Sequence, residues 1–367
     1  MRLFKIQPSI LWLFLLLDSS FEGAAADYAV GADLSFLKQA EDRGVVFCDG
    51  TNARPALRIF KDHGFNWVRL RLFHSPTNLP NNLEYTLAAA KAAHEQGFKF
   101  LLDFHYSDTW ADPAKQHPPA AWRGKSHVEL VQAVHDYTRE TIESFGRAGM
   151  IPDLVQIGNE VSAGMLWPDG KLPEQWDNFA ELLKAGLQGV RDGCGTNAPP
   201  RLMIHLDRGG SRARTKYFFD QLLSRGVNFD VIGQSYYPWW HGSLLDLRDN
   251  LDFMARTYQK DIMLVEVAYC WRPTQYQNRP GPFPESPEGQ RQFLEEVNRL
   301  VLGAPDHRGA GVFWWNPRWS RAGCAAGACL TTPEWHCRRW RFLTGGRADR
   351  SGTFSLDSAT VCVICLP

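Results

Sequence analysis

The sequence predicts an α/β protein whose body is one (β/α)₈ TIM barrel. Eight short apolar runs have the length of buried strands, and amphipathic helical segments separate them at even intervals. That alternation is typical of a parallel sheet with crossover helices. The first strand lacks the G-x-G-x-x-G turn of an open dinucleotide-binding sheet, and the chain has no phosphate loop, so closure into a barrel is favoured.

The predicted elements follow one another without a low-complexity linker. The strands are predicted at 28–33, 67–72, 98–104, 154–158, 202–206, 231–235, 262–267 and 311–315. The helices are predicted near 55–63, 83–96, 128–147, 175–191, 212–224, 244–258 and 288–301. Gly64, Gly97 and Gly226 each come just past a helical segment, where a left-handed residue commonly ends a helix.

The first residues of the chain have the pattern of a secretory signal. Arg2 and Lys5 precede the apolar run 10–17, and three alanines follow at 24–26, where cleavage is expected. The apolar run is far shorter than the roughly 20 residues that a membrane span needs. We therefore expect a secreted protein. The predicted division is a signal peptide at 1–26, a catalytic barrel domain at 27–317 and an atypical tail at 318–367.

Charge and composition exclude several partners. The chain has 40 basic and 40 acidic residues, so its formal net charge is zero, and nothing favours capture of nucleic acid or of an anionic membrane. We expect neither partner, and we expect a monomer. The 14 tryptophans suit a carbohydrate-binding surface, although large cores also contain many. The eight cysteines match no zinc signature, and their spacing fixes no disulfide pairing.

Polar and aromatic residues stand at the carboxyl ends of the predicted strands, where barrel enzymes form their active sites. A single such residue could equally cap a helix or form a loop salt bridge, but a whole ring predicts a functional site. In chain order the ring comprises Asp33, Arg69, Arg71, Asp103, His105, Asn159, Glu160, His205, Asp207, Tyr236, Tyr237, Glu266, Trp314 and Trp315.

Two carboxylates of this ring predict glycosidic cleavage. Glu160 follows Asn159 at the end of the fourth strand, and Glu266 lies in the otherwise apolar seventh. Burying a glutamate there is costly unless it faces a polar cavity or a partner. The fourth and seventh strands face each other across a barrel mouth, so the two side chains can flank a sugar as acid and as nucleophile or base. The alternative is that Glu266 forms a structural ion pair with a barrel arginine.

A metal site is a second interpretation of the same ring. Its candidate ligands are Asp103, His105, Glu160, His205, Asp207 and Glu266. No compact ligand motif supports it, and the histidines alternate with acids instead of pairing at helical spacing. The doublet Trp239 and Trp240 is a candidate sugar-stacking surface, because neighbouring residues of an extended segment point to opposite faces and cannot both be core.

Several stretches together resemble a known family. They are GADLSFL, FNWVRLRLF, LLDFHYSDTWADPAKQ, VQIGNEVSAGMLWP, IHLDRGG, FDVIGQSYYPWWHG, LVEVAYCW and GVFWWNP. They are similar to the arabinogalactan endo-β-1,4-galactanases of glycoside hydrolase family 53, over about residues 28–317. The resemblance implies a retaining (β/α)₈ hydrolase that cleaves internal bonds of the polysaccharide β-1,4-galactan. It implies no cofactor for the chemistry.

The motifs carry roles over to individual residues. The resemblance implies Glu160 as acid/base, Glu266 as nucleophile and Asn159 as the partner of the sugar 2-hydroxyl. It implies that Arg71 and His105 orient the surroundings of the nucleophile. The residues implied to line the subsites are Asp33, Asp207, Tyr237, Trp239 and Trp315. A related endo-glycanase acting on mannan or xylan, and a sugar-binding protein without activity, remain as alternatives.

The chain departs from the family pattern in two places. Cys270 stands where the family more often has proline. After Pro317 the sequence becomes rich in Cys, Arg and Gly and has no amphipathic period, in place of a W-E-N-Q-A-L-F-D-like segment. A shifted reading frame near Arg318 or a genuine short tail would explain the change. Some bacterial members bind structural calcium near the eighth strand, and this sequence gives that site no support.

Overall fold

Eight parallel strands form a closed barrel in the part of the chain that the computed structural model describes, residues 28–273 and 279–315. Each strand pairs with its neighbours in sequence order, and pairing of β1 with β8 closes the ring. The strands are β1 (Ala29–Asp33), β2 (Trp67–Leu72), β3 (Lys99–Phe104), β4 (Leu154–Ile157), β5 (Arg201–Leu206), β6 (Val231–Tyr236), β7 (Asp261–Val267) and β8 (Gly309–Trp314). The predicted barrel fold is confirmed.

Seven crossover helices connect these strands, each overlapping a predicted one. They are α1 (Ala56–Asp62), α2 (Leu83–Glu95), α3 (His127–Arg147), α4 (Trp176–Gly193), α5 (Arg212–Ser224), α6 (Leu244–Tyr258) and α7 (Pro287–Leu302). The predicted left-handed residues after helices are confirmed, with φ of 87° at Gly64, 71° at Gly97 and 69° at Gly226. A short helix at Leu37–Asp42 and two hairpins, at residues 48–53 and 164–171, were not predicted, because such short elements have no measurable period.

The inside of the barrel is apolar at the amino ends of the strands. A separate cluster of buried side chains fills this half: Ala29, Trp67, Leu101, Leu154, Met203, Val231, Met263, Val265 and Phe313. The packing is tight. A Cβ added at Gly31 would lie 2.2 Å from the ring of Phe313, so β1 requires glycine there. The alternate residues, such as Val68 and Leu70, face the helices and belong to the larger outer core.

Farther along the same strands, the inward positions become polar. On β2, Trp67 in the apolar layer is followed two residues later by the buried Arg69. On β3, Leu101 is followed in the same way by the buried Asp103. Because strand residues alternate between faces, these positions stack into a polar layer above the apolar plug. The polar groups are therefore concentrated at the carboxyl ends of the strands.

The predicted segments at the two ends of the chain, 1–26 and 318–367, lie outside the described residues, so the division into three segments stays a prediction. Within residues 28–273 and 279–315, no helix combines the length and the apolar character needed to cross a bilayer.

Candidate active site

Glu160 lies three residues after the end of β4, in an unusual backbone conformation. Its φ of 45° and ψ of 52° lie in the left-handed region, which is strained for a residue with a Cβ. Gln116 donates from Nε2 to the carbonyl oxygen of Asn159 at 2.8 Å and so holds the preceding peptide. The Glu160 carboxylate reaches β6, where its Oε1 lies 2.7 Å from Ser235 Oγ. The turn thus places this carboxyl group over the barrel mouth.

A β-bulge aims Glu266 into the barrel. On β7, Leu264 pairs with Gln234 of β6, but the next pair joins Glu266 to Ser235, so Val265 is an extra residue. Val265 belongs to the inner cluster and Leu264 to the outer core. Simple alternation would therefore turn Glu266 outward, toward the helices. The bulge resets the alternation, and two successive side chains face inward.

The carboxylate of Glu266 is held on both oxygens. Arg69 Nη1 donates to Oε1 at 2.8 Å, and the hydroxyl of Tyr237 donates to Oε2 at 2.9 Å. The residue is 5% exposed. The ion pair with a barrel arginine, which a purely structural role predicts, is therefore present. It is also what an ionised nucleophile needs, because both donors stabilise the negative charge.

Arg69 is the hub of the polar layer, and no atom of its side chain is exposed. Its guanidinium lies 3.1 Å from Asp33 Oδ2, 2.9 Å from Asp103 Oδ2 and 2.8 Å from Asn159 Oδ1, in addition to Glu266. The sequence placed Arg69 in the ring, and the family resemblance implied that Arg71 orients the surroundings of the nucleophile. Both arginines lie on the inward face of β2, and only the depth of the Glu266 carboxylate selects the first.

Arg71 and His105 form the wall beside this hub, and within the part of the chain that the structure describes neither forms a hydrogen bond or an ion pair with Glu266. The guanidinium of Arg71 lies 2.8 Å from Asp33 Oδ2 and 4.4 Å from the ring centre of Trp110, a cation–π contact. His105 accepts from the backbone N–H of Ala111 at Nδ1 (3.0 Å), so its Nε2 donates to Asp103 at 3.1 Å. His105 is thus linked to Glu266 through Asp103 and Arg69.

The two glutamates have opposite electrostatic surroundings. Burial raises the pKa of Glu160 well above its usual value, and the negative charge of Glu266 raises it further. Glu266 has Arg69 as a direct counter-charge. Burial also raises the pKa of Tyr237 well above its usual value, with Glu266 adding to the effect, so this phenol remains a donor. A protonated acid beside an ionised carboxylate is the arrangement that glycosidic cleavage uses.

The buried groups below them keep fixed charges. Burial raises the pKa of Asp103, but Arg69 and then His105 lower it more strongly, to about 2. Burial lowers the pKa of His205 far below its usual value, and the nearby Arg69 lowers it further, so this imidazole is neutral. The polar layer therefore contains an ionised aspartate and a neutral histidine across the ordinary pH range.

The remaining candidate residues lie around the mouth. Trp315 packs its ring 6.0 Å from that of Tyr237, and Asp207 pairs with Arg208 Nε at 3.0 Å. Trp239 is only 7% exposed and stacks on Tyr269, whereas Trp240 is 43% exposed. The doublet lies in a turn, so the alternation expected of an extended segment does not apply. The solvent-facing indole of the pair is Trp240.

A metal centre finds little support in the same region. Among the described residues, no group of three or more His, Cys, Asp and Glu side chains is arranged to hold a metal ion. Asp103 and His105, two of the six proposed ligands, bind each other and the former also binds Arg69. The chain after β8, where calcium was considered, lies outside the described ranges.

Comparison with known proteins gives a consistent picture. The sequence profile of glycosyl hydrolase family 53 matches residues 29–359, which extends past Pro317. An arabinogalactan endo-β-1,4-galactanase of Thermothelomyces thermophilus is 37% identical over 301 residues, covering 79% of this chain and 89% of that protein. A probable arabinogalactan endo-β-1,4-galactanase A of Neosartorya fischeri is 36% identical over 332 residues, covering 87% and 92%. A solved fungal β-1,4-galactanase structure superposes with a TM-score of 0.76 at 36% identity, covering 80% of this chain and 90% of that one.

Proposed function

The chain belongs to glycosyl hydrolase family 53, and we propose that it hydrolyses internal β-1,4-galactosidic bonds of (arabino)galactan with Glu160 as acid/base and Glu266 as nucleophile. The residue assignment rests on one observation, the different electrostatic surroundings of the two carboxyl groups. Burial and the charge of Glu266 favour a protonated Glu160, while Arg69 and Tyr237 donate hydrogen bonds to the two carboxylate oxygens of Glu266. Such a pair fits a double-displacement mechanism with retention.

In the first displacement, Glu266 attacks the anomeric carbon while Glu160 gives its proton to the departing glycosidic oxygen. The bond from carbon to that oxygen breaks, and a covalent glycosyl-enzyme forms. The charge of Glu266 is consumed in this step. Arg69 keeps Asp33 and Asp103 as counter-charges, so its position does not depend on the charge of the nucleophile.

In the second displacement, the newly ionised Glu160 accepts a proton from water, which attacks the same carbon and releases Glu266. Two inversions at one carbon give net retention. Two carboxylates and water suffice for both steps, so the proposed chemistry requires no cofactor or metal ion.

The polar layer and the mouth supply the substrate contacts in this proposal. We assign Asn159 to the 2-hydroxyl of the reacting sugar. Asp33, Arg71, His105, Asp207, Tyr237, Trp239 and Trp315 keep their proposed place around the subsites. Trp239 contributes mainly by packing behind the surface, since it is 7% exposed, and Trp240 offers the exposed face.

Galactan is the proposed substrate because relatives that match most of this chain are galactanases by name. We also propose that the enzyme is secreted, from the signal-like order of residues 1–26, and that it acts as a monomer. The proposed domain division keeps 318–367 as a tail. The nucleotide sequence around codon 318 tests that division, because an alternative frame encoding a W-x-N-x-A-L-F-D-like segment would make the tail an artefact.

Purified protein incubated with galactan, mannan and xylan tests the specificity. We expect new reducing ends from galactan, with a rapid fall in viscosity, since the cleavage is internal. Release only from mannan or xylan would replace the substrate assignment. Tight binding of galactan without cleavage would favour the inactive sugar-binding protein, the second candidate function that the carboxylate pair opposes.

A further inference from the structure

A chain of three hydrogen bonds runs from the carboxyl group of Glu160, the proposed acid/base, to the side-chain amide of Asn159. Ser235 Oγ lies 2.7 Å from Glu160 Oε1 and 2.9 Å from Nε2 of His205. The other ring nitrogen of His205, Nδ1, lies 3.0 Å from Asn159 Oδ1. Ser235 and His205 are both completely buried. The mechanism above does not use either of them.

The surroundings of Asn159 fix which of its atoms faces His205. Arg69, which can only donate, lies 2.8 Å from Oδ1, and the carbonyl oxygen of Ala111, which can only accept, lies 2.9 Å from Nδ2. If the amide were flipped, its NH₂ group would face the donor Arg69 and its oxygen would face the carbonyl oxygen of Ala111. Oδ1 is therefore an acceptor, and the Nδ1 of His205 must carry a proton.

Because His205 is neutral, its second nitrogen, Nε2, carries a lone pair. Only the hydroxyl proton of Ser235 can satisfy it within this chain of bonds. Once Ser235 donates to His205, its oxygen has only lone pairs left for Glu160. A hydrogen bond of 2.7 Å between Glu160 and Ser235 then requires a proton on Glu160.

We propose that His205 and Ser235 are positioning residues that keep the proton of the resting enzyme on Glu160. This inference rests on the proposed role of Glu160 as acid/base. When Glu160 gives its proton to the glycosidic oxygen, the Ser235 hydroxyl rotates from His205 Nε2 to the new carboxylate. It rotates back when Glu160 takes a proton from water. Glu160 alone loses and regains a proton, and Ser235 and His205 keep theirs throughout.

Other charged or titratable groups also face Glu160 and His205. Around Glu160 these are Glu266, Asp207 and Arg69, and around His205 they are Arg69, Asp103, His105 and His241. The test therefore changes no charge. His205→Asn retains an N–H at the Nδ1 position and removes only the Nε2 acceptor, so Ser235 becomes free to stabilise the ionised form of Glu160.

The readout is the basic limb of the pH profile of kcat/KM on galactan, which reports the acid of the free enzyme. We expect His205→Asn to move this limb down by roughly half to one pH unit, the size of one net hydrogen bond. In a Ser235→Ala background the same substitution should move it by nothing, because the effect passes through the hydroxyl. Gln234→Met, a buried polar residue on the outward face of the same strand, is the matched control.

An unmoved limb in a folded His205→Asn enzyme, or an equal shift in the Ser235→Ala background, overturns the proposal. The ¹⁵N shifts of the His205 ring in the unmodified protein test it without any variant: a protonated Nδ1 and an unprotonated Nε2 support it, and the reverse refutes it. Glu160→Gln tests the acid/base role of Glu160 separately from the protonation of His205. Unreduced galactan hydrolysis by that variant sinks the acid/base assignment, whereas the ¹⁵N shifts still decide the state of His205.

Discussion

Arg69 Nη1 lies 2.8 Å from Glu266 Oε1 with no part of the arginine side chain exposed to solvent. The same nitrogen lies 3.1 Å from Asp33, and Nη2 lies 2.9 Å from Asp103. Burial lowers the pKa of Arg69, but the carboxylates of Asp103, Glu266 and Asp33 raise it more, so the guanidinium stays charged. The charge of Arg69 beside Glu266 is thus itself stabilised by two further carboxylates.

Replacing Arg69 should therefore damage both folding and catalysis. Arg69→Met leaves buried carboxylates without a partner, and breaking a buried ion pair costs about 3–5 kcal/mol of unfolding free energy. Arg69→Lys keeps the charge but cannot fork between Asp103 and Glu266, and we expect a loss of roughly 10²-fold in kcat. Chemical denaturation and galactan kinetics measure the two effects.

Arg71→Lys is the matched control for that substitution. Arg71 lies on the same face of the same strand, but its recorded ionic partner is Asp33, and it packs on Trp110. We expect the change to raise KM more than it lowers kcat, because it alters the wall of the site and leaves the contacts of Glu266 unchanged. Equal losses of kcat in the two lysine variants would mean that Arg69 has no special relation to Glu266.

Replacement of Asp207 should move the basic limb of the pH profile of kcat/KM. The charge of Asp207 is one of the groups that raise the pKa of Glu160, after burial and Glu266. Asp207→Asn removes that charge, so the pKa of Glu160 should fall and the basic limb of kcat/KM should move to lower pH. A basic limb that moves upward contradicts the electrostatic account.

Sequence alternation located the barrel, its seven crossover helices and the polar ring. It could not locate the β7 bulge, because the run Leu264–Val265–Glu266 gives no sign that two successive side chains share a face. Glu266 stands out in the sequence because burying a glutamate in an apolar strand is costly. The bulge turns its side chain inward, where Arg69 binds it. The contact of Glu266 with Arg69 joins residues far apart in the chain, and no local pattern encodes it.

The same limit applies to two details of the site that alternation leaves open. Arg69 and Arg71 have identical alternation, and only the position of Glu266 along the barrel axis decides which one binds it. For the tryptophan doublet, alternation was applied to a segment that turns immediately after β6. Turn geometry, not strand alternation, buries Trp239 and exposes Trp240.

Rising pH should weaken the stabilisation that two surface histidines contribute to the fold. Asp192 raises the pKa of His135 most strongly, with Asp136 adding to it; Nε2 lies 2.8 Å from Asp192 and Nδ1 lies 3.1 Å from Asp136. A pKa that is higher in the folded state stabilises the fold below about pH 6.5 and ceases to do so as pH rises through the folded value. His127, between Asp169 and Glu181, acts in the same direction.

We therefore expect His135 to contribute more to Tm at about pH 6 than at about pH 8, whereas the buried His205, whose pKa is lowered, acts in the opposite direction on the whole protein. The difference in Tm between the unmodified protein and His135→Gln, which has no titrating ring, should therefore shrink between about pH 6 and pH 8. His94→Gln, at an exposed histidine of α2, serves as the control and should keep the full dependence. Identical slopes for all three proteins would show that the His135 pairs contribute nothing to stability.

Removal of divalent metal ions should leave the chemistry intact, because the proposed scheme uses carboxylates and water alone. We expect unchanged kcat on galactan after exhaustive chelation at moderate temperature. Complete loss of activity that one added divalent ion restores would favour the metal interpretation. A lowered Tm with unchanged kcat would indicate a structural ion only.

Glu160 and Glu266 should be separable by mutation, which is the sharpest test of their roles. Glu160→Ala removes the acid, so galactan hydrolysis should collapse by roughly 10²–10⁴-fold. A galactoside whose leaving group needs no protonation should still form the glycosyl-enzyme, and its breakdown should be slow without a general base. Azide should accelerate that breakdown and give a galactosyl azide. Glu266→Ala should fail with both substrates, because the first bond cannot form. Glu140→Ala, an exposed carboxylate on α3, should match the unmodified enzyme.

The anomer released first decides between the two ways of using this carboxylate pair. If Glu266 forms a covalent bond to the sugar, two inversions occur and NMR detects the β-anomer before mutarotation. If Glu266 only directs water, a single inversion gives the α-anomer, and Arg69 and Tyr237 would then be holding a base. Azide distinguishes the same two cases, since only a covalent intermediate can be trapped with retention. An initial α-anomer together with no azide product would leave Glu160 as the acid and remove the nucleophile from the mechanism.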